Sequence, residues 1–84
     1  MSENARFVYV LQSDAQSDRF YVGLAEDLDR RLAVHNSGGS VYTAKHRPWR
    51  MVACVEFANP VSARAFERYL KSGSGRAFAK RHFV

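Results

Sequence analysis

Two predicted helices carry ionisable side chains on faces that should be apolar. Leu28 and Leu32 define the apolar stripe of the first helix. With about 100° of rotation per residue, Arg31 and His35 fall on that same side. Glu67 falls among apolar side chains on the inner face of the second helix. Because a buried charge is costly unless it is paired or bound to a metal, Arg31 and Glu67 form either a structural ion pair or part of a ligand site.

Two tyrosines of the predicted strands can meet these groups. Tyr9 lies in the middle of one strand and Tyr21 near the start of the next, and Gly23 leaves room for a close approach. Each tyrosine alone is typical of a core residue with a bonded hydroxyl. His35 alone is equally typical of a core or helix-end histidine. Only the convergence of all five side chains indicates a functional site.

Three segments have the composition of β-strands. Segments 6–12, 20–24 and 51–57 are rich in β-branched and aromatic residues. The polar stretch 13–18 between the first two favours an antiparallel hairpin over a crossover connection. The third segment is apolar enough to be the central strand, and we expect it there.

Three helices fill the rest of the chain. Asp27 is a suitable N-cap for a helix that runs to about residue 36 and ends at Gly38. Asn59 and Pro60 begin a helix that reaches about residue 71, and 74–82 forms a short last helix. We expect 37–49 to be a polar loop.

These elements predict one domain, 1–84, of the α+β class. The order β-β-α-β-α-α indicates a small three-stranded antiparallel sheet flanked by helices. The only cysteine, Cys54, rules out an internal disulfide and is expected to pack in the core. No apolar run approaches a membrane span, so we expect a cytoplasmic protein without membrane contact.

The charge distribution points to a polyanionic ligand. The formal net charge is +5, and no Asp or Glu lies between Asp29 and Glu56, whereas five Lys and Arg do. The segment from Pro60 onward holds six basic residues and the single acid Glu67. Phosphate contacts would release counterions from nucleic acid, although a solvated basic face that favours solubility explains the charge equally well.

The candidate residues occur in the order of a known family. The chain resembles the GIY-YIG nuclease superfamily, in particular its small standalone members. The matching motifs are Phe7-Val8-Tyr9, Tyr21-Val22-Gly23, Asp27-Leu28 through Arg31-Leu32 to His35, and Glu67 with Lys71. The chain departs from the family at Phe7, which replaces a glycine, and it shows no second domain for target recognition.

The resemblance implies a catalytic role for each of the five residues. Tyr9 would take a proton from the attacking water, with help from either His35 or the field of the metal ion, and Tyr21 would position water or phosphate. Arg31 would hold the scissile phosphate. Glu67 would bind one Mg²⁺ or Mn²⁺ ion. Contacts to flanking backbone would come from Lys45, Arg47, Lys71, Arg76 and Lys80.

The predicted function is that of a metal-dependent endonuclease. Its substrate would be DNA, branched or damaged, in repair or recombination, and a protein partner would supply substrate recognition. The alternative is a non-catalytic module that keeps the nuclease fold and binds nucleic acid. The sequence has no marker that separates DNA from RNA. A third reading is a structural protein whose polar set is a buried network.

Overall fold

The computed structural model describes residues 4–83 as a three-stranded antiparallel sheet with four helices, which confirms the predicted α+β fold. The elements are β1 (Phe7–Ser13), β2 (Phe20–Ala25), α1 (Leu28–Ser37), α2 (Val41–Ala44), β3 (Trp49–Glu56), α3 (Pro60–Lys71) and α4 (Gly73–His82). The predicted domain, 1–84, extends beyond this range at both ends. No helix in the described range is long and apolar enough to cross a membrane, and the cytoplasmic location stays a prediction.

The strand order is β2-β1-β3, so the first strand is central. The prediction that segment 51–57 is central was wrong. The reason is that β1 is buried along almost its whole length, whereas β3 lies at an edge of the sheet and exposes Arg50 and Glu56. Cys54 is also exposed on β3, so the expectation that it packs in the core was wrong as well.

The two faces of the sheet hold separate core clusters. Because side chains alternate along a strand, Val8 and Val10 point to one face and contact Ala63 and Leu70 of α3. Tyr9 and Leu11 point to the other face. There they pack with Trp49 and the apolar side of α1. Helices therefore cover both faces, and the candidate residues start from opposite sides of the sheet.

The two longest predicted helices begin directly after their predicted N-cap residues, and α1 ends at the predicted glycine. Asp27 accepts a hydrogen bond from the backbone N–H of Arg30 at 3.1 Å, and Asn59 accepts one from Ser62 at 2.8 Å. Gly38 ends α1 with φ of 84°, a backbone conformation that glycine adopts without strain.

The segment predicted as a loop contains the short helix α2 and is held in place by side chains. Asn36 donates to the carbonyl of Trp49 at 3.0 Å and accepts from its backbone N–H at 2.6 Å. The Trp49 indole N–H donates to the carbonyl of Thr43 at 2.7 Å. These bonds join the end of α1, the helix α2 and the start of β3, so α2 has a defined position beside the sheet.

Candidate active site

A cleft of about 470 Å³ lies where residues of both sheet faces meet. Four of the five predicted catalytic residues line it, namely Tyr9, Tyr21, Arg31 and Glu67. Lys71 and the small residue Gly23 line the same cleft. Glu67 stands on α3 and Arg31 on α1, so two helices on opposite faces supply the charged groups.

Tyr9 occupies the centre of this arrangement. It is buried on the central strand, directly opposite Gly23 in the β1–β2 register. A Cβ at position 23 would overlap the Tyr9 hydroxyl and ring carbon Cζ. The absence of a side chain at Gly23 therefore lets the Tyr9 ring lie flat against β2 and reach the cleft.

His35 lies behind Tyr9 and does not line the cleft. Its Nε2 is 2.9 Å from the Tyr9 hydroxyl, and its Nδ1 is 2.7 Å from Oγ1 of Thr43. Both His35 and Thr43 are fully buried. The ring of Tyr21 also packs against the imidazole, with centroids 4.8 Å apart. His35 thus contacts two residues of the cleft lining, Tyr9 and Tyr21.

The tautomer of His35 sets the direction of the hydrogen bonds that join Tyr9, His35 and Thr43. The Tyr9 hydroxyl donates to Nε2 of His35, 2.9 Å away, in the neutral tautomer whose ring proton is on Nδ1. In that tautomer, the Nδ1–H of His35 donates to Oγ1 of Thr43 at 2.7 Å. Thr43 in turn faces the carbonyl of Ser40 at 3.5 Å. The arrangement is a buried chain from tyrosine to histidine to threonine.

Burial shifts the pKa values of both members of the Tyr9–His35 pair. Desolvation raises the pKa of Tyr9, and the Arg31 guanidinium acts in the opposite direction through hydrogen bonding and charge. Desolvation lowers the pKa of His35, and the charge of Arg31 adds to that effect. At neutral pH the pair is therefore a protonated phenol beside a neutral imidazole.

Arg31 has an unmet hydrogen-bonding group. Its Nε is buried and has no hydrogen-bond partner anywhere in residues 4–83. Such a donor is unusual in a folded protein and indicates that a ligand or ordered water supplies the acceptor. Among the described residues, Arg31 and Glu67 do not form the structural ion pair that was the alternative to a ligand site.

The partner of Glu67 is its neighbour on the helix, Lys71, one turn later. The carboxylate is only 7% exposed, whereas the side chain of Lys71 is 51% exposed. Within residues 4–83, no group of three or more His, Cys, Asp or Glu side chains could hold a metal ion. Three carboxylates, those of Glu26, Asp27 and Glu67, line the cleft, and a cation held by Glu67 would take its other ligands from water and phosphate oxygens.

The remaining predicted nucleic-acid contacts are exposed and lie away from the cleft lining. They are Lys45 at the end of α2, Arg47 after it, and Arg76 and Lys80 on α4. The sequence analysis gave no place in the site to Glu26 and Arg30, which line the cleft. It also missed Thr43, which had no signal because it lies in a segment that looked like a loop.

Comparison with known proteins identifies the family. The family model of the GIY-YIG catalytic domain matches residues 5–81. The chain therefore belongs to the GIY-YIG family, as its motifs predicted, and to the class of GIY-YIG-type endonucleases. No solved structure shows significant similarity to it.

Two kinds of relative are similar to this chain. A "UPF0213 protein" of Lactococcus lactis subsp. cremoris is 42% identical over 69 residues, which cover 81% of this chain and 68% of the relative. The "Structure-specific endonuclease subunit SLX1" of Scheffersomyces stipitis is 43% identical over 67 residues, or 71% of this chain but 20% of the relative. A protein of the same name from Candida dubliniensis is 38% identical over 82 residues, with 89% and 27% covered.

Proposed function

We propose that this chain is a structure-specific endonuclease that hydrolyses phosphodiester bonds in DNA with the help of one divalent cation. The observation that supports this most is the single cleft lined by Tyr9, Tyr21, Arg31 and Glu67, with His35 hydrogen-bonded behind Tyr9. The name of the SLX1 relatives supports the structure-specific part.

The Tyr9–His35 pair can act as the general base. A protonated phenol cannot accept a proton from water unless it releases its own. With the imidazole proton on Nδ1, the Tyr9 hydroxyl donates its own proton to Nε2 of His35, 2.9 Å away. As the attacking water gives its proton to the Tyr9 oxygen, the Tyr9 proton passes to the imidazole, which becomes an imidazolium. No net charge is left on the phenol.

Arg31 and Glu67 serve the phosphate and the cation. The unpartnered Arg31 Nε–H can donate to a phosphate oxygen, and the planar guanidinium suits a bidentate contact. Glu67 would hold Mg²⁺ or Mn²⁺. When bound, such an ion stabilises negative charge on the phosphate and lowers the pKa of water. Lys71, which pairs with Glu67, becomes free to contact the substrate when a cation takes its place.

The names of the same relatives also support a protein partner and a cellular setting for the proposed activity. The SLX1 proteins are named as subunits, so we propose that a protein partner contributes to substrate recognition. The proposed setting is DNA repair or recombination, where branched DNA arises. The exposed basic residues at positions 45, 47, 76 and 80 would contact flanking phosphates without sequence preference.

Cleavage of defined DNA substrates tests the proposal. The purified protein would be incubated with nicked, flapped, branched and plain duplex DNA in Mg²⁺ or Mn²⁺. We expect cleavage of the branched forms, and its loss in Glu67→Gln and in Arg31→Ala. Equal cleavage by the wild type and both variants would show that these side chains do not have the proposed roles.

Two observations favour a second candidate, a module that binds nucleic acid without cutting it. The Lys71 ammonium already neutralises Glu67, and the chain has a net charge of +5. Binding to DNA or RNA that weakens steeply with salt, without cleavage of any substrate tried, would support this reading over the nuclease.

A further inference from the structure

The helix α2 presents two large apolar side chains to solvent. Val41 is 90% exposed and Tyr42 is 76% exposed. Neither side chain contributes to the two core clusters of the sheet. The catalytic arrangement described above does not use them either, so their exposure has no explanation in the stability of the fold or in the proton chain.

The position of Tyr42 relates it to the cleft. Its ring centroid lies 5.8 Å from that of Tyr21, and Tyr21 lines the cleft and contacts His35. The next residue, Thr43, is fully buried and bonded to both His35 and Trp49. The aromatic ring therefore stands at the edge of the proposed active site on a helix that is anchored from below.

Two basic residues follow this exposed pair at the end of α2. Lys45 directly follows α2, and the Arg47 Nε donates to the carbonyl of Ala44 at 2.9 Å. The segment from residue 30 to residue 55 contains no Asp or Glu. An aromatic face next to fixed positive charge is complementary to a nucleotide, because the base can stack and the phosphate can pair with the cations.

We infer that Tyr42 stacks on an unpaired base next to the scissile phosphate, with Val41 as an apolar neighbour at the branch point. This inference rests on the proposed function and names its substrate class, which is DNA with unpaired nucleotides beside a duplex. In an intact duplex both faces of each base are covered by neighbouring bases, so no face is open to Tyr42. Tyr42 would thus separate branched DNA from plain duplex.

A binding experiment without divalent metal tests the inference. The probe is a flapped DNA with 2-aminopurine as the first unpaired base, in EDTA, compared with a plain duplex of the same length. We expect Tyr42→Ala to weaken binding of the flap roughly tenfold, the size of one base–aromatic stack, and to abolish quenching of the 2-aminopurine fluorescence. Duplex binding should stay unchanged.

Three variants complete the design. Tyr42→Phe keeps the aromatic face and should bind like the wild type, whereas Tyr42→Leu keeps apolar bulk and should bind like Tyr42→Ala. Val61→Ala removes another exposed apolar side chain, 79% exposed on α3, and should have no effect. Because Tyr42 is exposed, its replacement should leave the fold intact. The use of two different replacements, Ala and Leu, also keeps the test valid if one variant fails to fold.

The outcomes separate this inference from the proposed function. Equal binding of the flap by the wild type and Tyr42→Ala would overturn the inference even if the DNA is cleaved. Equal losses on flap and duplex would overturn it too, as would a dimer that Tyr42→Ala dissociates, since a second copy would then cover the patch. Tyr42-dependent quenching without cleavage by any variant would uphold the stacking site while the nuclease proposal fails.

Discussion

The hydroxyl of Tyr9 lies 2.9 Å from Nε2 of His35, and both residues are buried on the α1 side of the sheet. This contact joins a phenol whose pKa is raised to an imidazole whose pKa is lowered, burial being the main cause in each case. Both groups are therefore neutral at pH 7. They form no buried ion pair that would have to be separated before the proton between them moves.

Gly23→Ala should disturb this contact from the opposite strand. The added methyl group would overlap the Tyr9 hydroxyl, and a buried ring has little room to move. We expect a loss of about 1–3 kcal/mol in the free energy of unfolding and loss of cleavage. Denaturant melts and cleavage assays measure both effects. Gly73→Ala is the control, because a Cβ there meets no atom within 4 Å, and it should match the wild type.

Thr43→Val should weaken the hold on the imidazole while keeping the shape of the side chain. The Nδ1–H of His35 loses its acceptor at 2.7 Å, which costs about 1–3 kcal/mol when the donor stays buried. We expect lower stability, a changed ¹⁵N chemical shift of His35 Nδ1, and slower cleavage with unchanged DNA affinity. Thr43→Ser keeps the hydroxyl and should restore the nitrogen shift. An unchanged shift in Thr43→Val would argue against the hydrogen bond.

Arg31→Met should raise the pKa of His35. Burial lowers that pKa most and the charge of Arg31 lowers it further, so removing the charge moves it back towards 6.5. An NMR titration of the His35 ring protons measures the change. Arg30→Met removes a cation from the exposed side of the same helix and should shift His35 much less. Similar shifts in the two variants would mean that Arg31 does not act on His35 specifically.

Protonation of His35 should make the fold less stable in mild acid. Because its folded-state pKa lies below the unfolded value of 6.5, the unfolded chain binds more protons between those two values. The stabilising contribution is complete above 6.5 and is lost as the pH falls towards the folded-state pKa. Urea melts from about pH 7.5 down to about pH 5 should show this decline. This range runs from roughly one unit above the ordinary histidine pKa to below it.

His35→Asn should flatten that pH dependence, although the variant is less stable at every pH. His82→Asn, at an exposed site on α4, serves as the matched control and should retain the wild-type slope. If His35→Asn and the wild type lose stability in parallel as the pH falls, another group is responsible for the decline.

Glu67→Gln should abolish cleavage while changing stability little. The only ion pair of Glu67 within residues 4–83 is with Lys71, which is half exposed, and such pairs contribute about 1 kcal/mol or less. Lys71→Met should tighten Mn²⁺ binding, because the ammonium no longer competes for the carboxylate. Calorimetry with Mn²⁺ alone measures this. Weaker Mn²⁺ binding by Lys71→Met than by the wild type would contradict the competition.

Much of the local structure follows from the sequence because its signals are local. Asp27, Gly38 and Asn59 carry capping chemistry that acts within one helical turn, and the helices begin or end at these residues. The ordered motifs likewise identified the family, since they depend only on residue type and spacing. The helical periodicity that placed Glu67 on the inner face of α3 also depends only on residue type and spacing, and Glu67 is buried.

The tertiary structure decided what depends on contacts between distant segments. Apolar content suggested that the third strand was central, but pairing with two partners made β1 central and left Cys54 exposed. Thr43 and His35 are eight residues apart with the end of a helix between them, so no periodicity could predict their hydrogen bond. The pairing of Glu67 with Lys71 rather than Arg31 also required the packed molecule, because composition can nominate charged partners whereas only their distances select among them.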